Sequence, residues 1–180
     1  MTVGRKIVLI GPMGAGKTSL GRRLATRLRW EFIDTDHALC ARTGVDIPTI
    51  FAAEGEAGFR KRENEVLTDI LSDSREMVVA CGGGIVIKAE NRRIISSQFL
   101  VVFLDVSVRR QILRIGRDRN RPLVQNTDNL QLKLEQLRDE RLGLYEGLAD
   151  IRVDTDNNHF THSFKRLLSD VESRLKREKS

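Results

Sequence analysis

The chain has 180 residues, of which 40% are apolar and 31% charged, with a formal net charge of +6. That length suits one domain with its own core, and that balance is ordinary for a soluble globular protein. It excludes a membrane-spanning chain, because no apolar run approaches ~20 residues. No long apolar segment precedes the first strand, so no signal peptide is expected. Cys40 and Cys81 offer neither a disulfide scaffold nor a metal-binding spacing, which points to a reducing cytoplasm. The arginines are spread along the chain, with only one Trp and one Tyr among them, so no nucleic-acid partner is expected.

Residues 6–10, "KIVLI", are a β-branched apolar run and predict a buried strand. "LIGPMGAGKTSL" (9–20) follows, with Gly11, four residues, then Gly16, Lys17 and Thr18. Leu20, Leu24 and Leu28 then recur at helical spacing. Strand, glycine loop and helix in this order make a P-loop. Its N–H groups (through Gly14, Ala15, Gly16 and Ser19) and the helix N-terminus would hold phosphate oxygens. Lys17 would reach the β- and γ-phosphates, and Thr18 would hold Mg²⁺. "EFID" (31–34) predicts the second strand, ending at Asp34 with Asp36 two residues on. Alternate residues of an extended strand end point the same way; a helix cap by Asp36 is the competing use.

Residues 46–72 are too long for a simple crossover and predict two helices, broken near Gly55 and Gly58. "MVVAC" (77–81) predicts the third strand, with Gly82 to Gly84 after it. "FLVVFLD" (99–105) predicts the fourth. The polar, arginine-rich stretch 116–129 has the length of a lid. "IRVD" (151–154) predicts the fifth strand, and the C-terminal "RLKREKS" a frayed helix end. Such alternation implies α/β layers on a mostly parallel sheet, with ligands beyond the carboxyl ends of the strands.

The series "GPMGAGKTS", "FIDTD", "RTG", "IPTIFAAEGEAGFR", "CGGG", "RNRPL" and R-x-x-LY, in this order over roughly residues 5–155, resembles shikimate kinase. The resemblance implies the P-loop fold of the nucleoside monophosphate kinases. That fold has a five-stranded parallel sheet flanked by helices, a helical substrate-binding region (about 34–62) and a lid (about 116–129) within one domain. It implies transfer of the γ-phosphoryl group of MgATP to the 3-hydroxyl of shikimate, with Lys17, Asp36 and Arg121 catalytic. Asp36 would be the base and Arg121 would close over the phosphates. Asp34 would orient Mg²⁺ through water. Arg60 and Arg141 would grip the substrate carboxylate, a planar anion suited to arginine. Gly83 would contact the ring, and Phe51 and Phe59, with Ile47 and Pro122, would wall the pocket. Arg114 and the stretch Asp154 to Asn157 would flank adenine. ATP and shikimate are the expected partners of a monomer that binds neither nucleic acid nor membrane.

Three points qualify this pattern. Gly143 stands where the family usually has proline, and Cys81 where it often has Thr or Ser. Asp105 imitates a Walker B aspartate, but that residue must lie beside the P-loop strand. The neighbour in this fold is expected to be strand three, so Asp105 is expected to cap the following helix. A gluconate-type or nucleotide kinase shares the P-loop and lid without needing paired arginines and a triple glycine. A nucleotide-gated module predicts binding without turnover.

Overall fold

Five strands, β1 (Lys6–Ile10), β2 (Glu31–Asp34), β3 (Met77–Ala80), β4 (Leu100–Asp105) and β5 (Ile151–Asp154), pair in parallel in the spatial order β2-β3-β1-β4-β5. The computed structural model describes residues 3–115, 129–156 and 159–177. Among them, every crossover carries helix: α1 (Lys17–Leu28), α2 (Thr35–Thr43), α3 (Ile47–Ser72), α4 (Ala89–Ser96), α5 (Val108–Ile115) and α6 (Leu130–Leu148). α7 (Phe160–Arg177) follows the last strand.

Helices on both faces explain why the strand runs are continuously apolar rather than alternating. Val8, Ile10, Val79, Val101 and Phe103 pack to one side with Phe59, Leu67 and Tyr145. Ile7, Leu9, Val78, Val102 and Leu104 pack to the other with Leu20, Leu24 and Leu167. Each such side chain, wholly buried, contributes about 1.5–3 kcal/mol. The third and fourth strands are one residue shorter than expected, at the Cys81 and Phe99 ends respectively. Cys81 still donates its N–H to Leu9 O at 3.0 Å before the chain turns into glycine.

The α3 span is two helices joined at Gly55, as expected from the sequence; the φ of 69° and ψ of −175° there are not helical and are open only to glycine. The break expected near Gly55 and Gly58 therefore falls at Gly55 alone. Arg62 spans it, donating to Glu54 from Nε at 2.8 Å and Nη2 at 2.6 Å.

The rim of the sheet away from the strand carboxyl ends is tied by Lys6. Its buried ammonium donates to the carbonyls of Gly4, Asp73 and Arg75 at 2.8, 2.7 and 2.8 Å. Burial lowers its pKa while the Asp73 carboxylate pulls the other way, and the three carbonyls satisfy its buried donors.

Candidate active site

β1 lies between β3 and β4, so the glycine loop after β1 and the "CGGG" turn after β3 are neighbours. Lys17, Thr18, Asp34, Asp36, Gly82 and Gly83 line one open cleft there. Gly16, in the left-handed region, hands the loop to α1, whose first residue is Lys17. The Lys17 ammonium donates to Gly11 O and Pro12 O at 2.8 and 2.9 Å. Thr18 Oγ donates to Asp34 Oδ2 at 2.7 Å.

Asp34 is doubly engaged. Its Oδ1 accepts the N–H groups of Asp36 (3.0 Å) and His37 (3.2 Å), which makes it the N-cap of α2. The cap is thus Asp34 rather than Asp36. The chain is also helical from Thr35, not extended, so the alternate-residue argument for the Asp pair fails. Asp36 reaches the cleft from the first turn of α2 instead. A Cβ on Gly82 would stand 2.8 Å from Asp36 Oδ1 and 3.3 Å from Glu63 Oε1. A Cβ on Gly84 would lie 2.3 Å from Arg60 Nη2. These glycines leave room for the side chains around them. Gly83 makes only ordinary contacts, with its carbonyl accepting the Tyr145 hydroxyl.

Arg60, on α3, is 6% exposed and Arg141, on α6, is 5% exposed. Arg60 donates to Glu63 Oε2 at 2.8 Å and reaches Glu56 Oε1 at 3.3 Å. Among the described residues, the two buried side-chain polar atoms without a hydrogen-bond partner are Arg60 Nε and Arg141 Nε. Burial pushes the Glu63 carboxyl above its usual value, although the Arg60 guanidinium pulls the other way. Burial likewise pushes the Tyr145 hydroxyl up to about 12, leaving it a donor. The Phe51 and Phe59 rings are 4.7 Å apart, and Arg60 lies 5.0 Å over Phe59, which is itself core. Burial pushes the Cys81 thiol far above its ordinary range, so it stays protonated beside the cleft.

An adjoining cleft runs from Gly14 and Ser19 past Arg110 and Arg114 to Thr155 and Phe160. Arg114 donates to Gly14 O at 2.8 Å and to Thr155 O at 2.5 Å, bridging the glycine loop to the end of β5. Arg110 Nε donates to Asp156 O at 3.0 Å. Arg121, Pro122 and Asn157, and the lid apart from Asn129, lie outside the described residues. Asn129 itself caps α6, its side chain accepting from Leu132 N at 3.0 Å.

Asp105 departs from expectation twice. β4 is also a direct neighbour of β1, so adjacency does not disqualify it. Its carboxylate is instead committed to Arg138 (2.9 Å) and Arg152 (2.6 Å), away from Thr18. Nor does it cap α5: its Oδ1 accepts from Val106 N, while Ser107 Oγ accepts from Arg110 N at 3.3 Å. Gly143 sits in uninterrupted helix with open space around it, and Arg141 two residues earlier is firmly buried. Glu63 escaped the sequence reading; a carboxylate three residues after Arg60 was its only signal.

The family model described as shikimate kinase matches residues 13–172. A shikimate kinase of Vibrio cholerae is 49% identical over 157 residues, 87% of this chain and 89% of that protein. One of Methylococcus capsulatus is 47% identical over 168 residues, 93% of each. The solved shikimate kinase from Acinetobacter baumannii, in complex with shikimate, superposes with a TM-score of 0.88 at 39% identity, covering 98% of this chain and 95% of that one. The enzyme from Aquifex aeolicus gives 0.77 at 30% identity, covering 95% and 96%. Sheet order, cleft and relatives agree, and the chain belongs to the shikimate kinase family.

Proposed function

We propose that this chain transfers the γ-phosphoryl group of MgATP to the 3-hydroxyl of shikimate, on the route to chorismate and the aromatic amino acids. The observation that carries this reading is the pair of buried, partnerless Nε donors on Arg60 and Arg141. A buried donor without an acceptor is costly, and a planar carboxylate offers two oxygens to each guanidinium.

Asp36, which lines the cleft beside Gly82, would face the ring hydroxyls and serve as the base. It takes the proton from the attacking hydroxyl, whose oxygen bonds to the γ-phosphorus as the bond to the ADP oxygen breaks. Lys17 leaves its loop carbonyls for the β- and γ-phosphates. Gly83 lets the ring lie against the backbone, with Phe51 and Phe59 behind it. Glu63 holds the Arg60 fork in place. Thr18 Oγ and Asp34 Oδ2, hard oxygen donors 2.7 Å apart, fit Mg²⁺. When bound, that ion neutralises charge on the phosphates. Arg114 flanks the adenine; Arg121 and Asn157 take their γ-phosphate and adenine roles from the family pattern alone. We read residues 1–180 as one kinase domain, with substrate region 34–62 and lid 116–129, acting as a cytoplasmic monomer. Among the described residues no helix is long and apolar enough to cross a membrane.

ADP release by the purified protein should require shikimate, with no comparable turnover on gluconate or nucleoside monophosphates. Equal turnover on gluconate would move the protein to another kinase branch. Nucleotide binding without any turnover would make it a regulatory module.

A further inference from the structure

α5 is fitted against the glycine loop rather than against the phosphate site itself. Gln111, 2% exposed, donates from Nε2 to Met13 O at 2.9 Å. Arg114, one turn on, takes Gly14 O at 2.8 Å. The surfaces are close: a Cβ on Gly14 would stand 3.1 Å from Ile115 Cγ2 and 3.7 Å from Gln111 Cα. A buried amide is held in place by the bond it makes, because leaving it unpaired costs free energy.

The consequence lies in the peptide group. Among the described residues none is cis. In a planar trans unit the C=O and N–H point in opposite directions. Gln111 draws the Met13 carbonyl toward α5, so the N–H of the same unit, that of Gly14, points the opposite way, and Gly14 itself lines the phosphate cleft. We propose that Gln111 is a positioning residue for the nucleotide: it holds the Met13–Gly14 peptide so that the Gly14 N–H meets the oxygen that joins the β- and γ-phosphates in ATP and is a terminal β-phosphate oxygen in ADP. It touches no substrate. It removes the rotational freedom of a glycine-flanked peptide before ATP arrives, which spares that ordering cost on binding. The inference rests on the proposed function only in taking a nucleoside triphosphate into the glycine loop.

The test therefore measures nucleotide binding without shikimate. Gln111→Met keeps length and approximate volume and deletes the donor. Calorimetry with AMP, and with the Mg²⁺ complexes of ADP and ATP, reads the dependence on phosphate number. AMP affinity should stay unchanged while ADP and ATP bind about 10-fold more weakly, the size of one neutral hydrogen bond. The KM for shikimate at saturating ATP should stay at its wild-type value. Gln111→Asn retains the amide but falls a methylene short of Met13, and should reproduce the same pattern. It carries the test if the methionine variant does not fold, as judged by thermal melting. Unchanged affinity for all three nucleotides overturns the proposal, and so does an equal loss for all three. Failure of the shikimate reading shows separately, as absent turnover with the nucleotide pattern intact.

Discussion

Arg60 and Glu63 are both buried, three residues apart on α3, yet neither makes sense without the "CGGG" turn. Gly84 leaves space for the guanidinium and Gly82 for the carboxylates of Asp36 and Glu63. If Arg60 reads the substrate carboxylate, Arg60→Ala should lower kcat/KM by ~2–5 kcal/mol of transition-state stabilisation, the effect of stranding a desolvated charge. Arg60→Lys keeps the charge but loses the fork and should also be impaired. ATP affinity should be unaffected. A shikimate analogue bearing a neutral amide gives the decisive comparison: wild type should discriminate against it strongly and Arg60→Ala far less. The same preference ratio in both enzymes would detach Arg60 from the carboxylate. Arg60 and Arg141 could be singled out from the sequence because the motifs that resemble the family's are local, and both are buried in the fold. Glu63 could not be singled out. In "RKRENE" a carboxylate reads as part of a solvated face, whereas in the fold the turn at Gly82 comes against it and it is buried.

At the scale of elements, Asp105 is the knot between β4, β5 and α6. Arg138 comes from α6 and Arg152 from β5, so one carboxylate fixes the helix that carries Arg141 and Tyr145. Burial alone would raise its pKa, but the hydrogen bonds from the two arginines outweigh it and hold it below the usual carboxylate range. A depressed folded-state pKa contributes stability above the unfolded value, near ~3.9, and loses it as pH falls through the folded value. Asp105→Asn should therefore unfold about 2 kcal/mol more easily at pH 7, the order expected for a partly buried pair broken on one side. The gap to wild type should narrow below about pH 4 as the wild type loses the charge that the variant never carried. Denaturant melts at pH 7 and pH 3 would show it, and a gap independent of pH would refute the assignment. The role given to Asp105 from sequence failed for a definable reason. A capping motif is local, whereas both arginine partners of this residue arrive from later in the chain. The bend in α3 was legible because Gly55 marks it, but which glycine bends depends on packing that composition does not reveal.

Across the whole molecule, the five strands and their order of appearance could be read from β-branched runs, because a sheet covered on both faces demands them. The spatial order could not. That β1 has β4 as well as β3 beside it is a property of the assembled sheet. The same pairing brings the two glycine turns together, with Leu9 opposite Ala80 and all of α1, α2 and α3 between them in sequence. Loop closure over that span is slow relative to helix formation. On dilution from denaturant, helical circular dichroism should accordingly return in an earlier phase than shikimate-dependent turnover. Coincident recovery of the two signals would argue against this ordering. Turnover thus dates one event in folding: the enzyme cannot acquire its chemistry before its central strand has paired with β3.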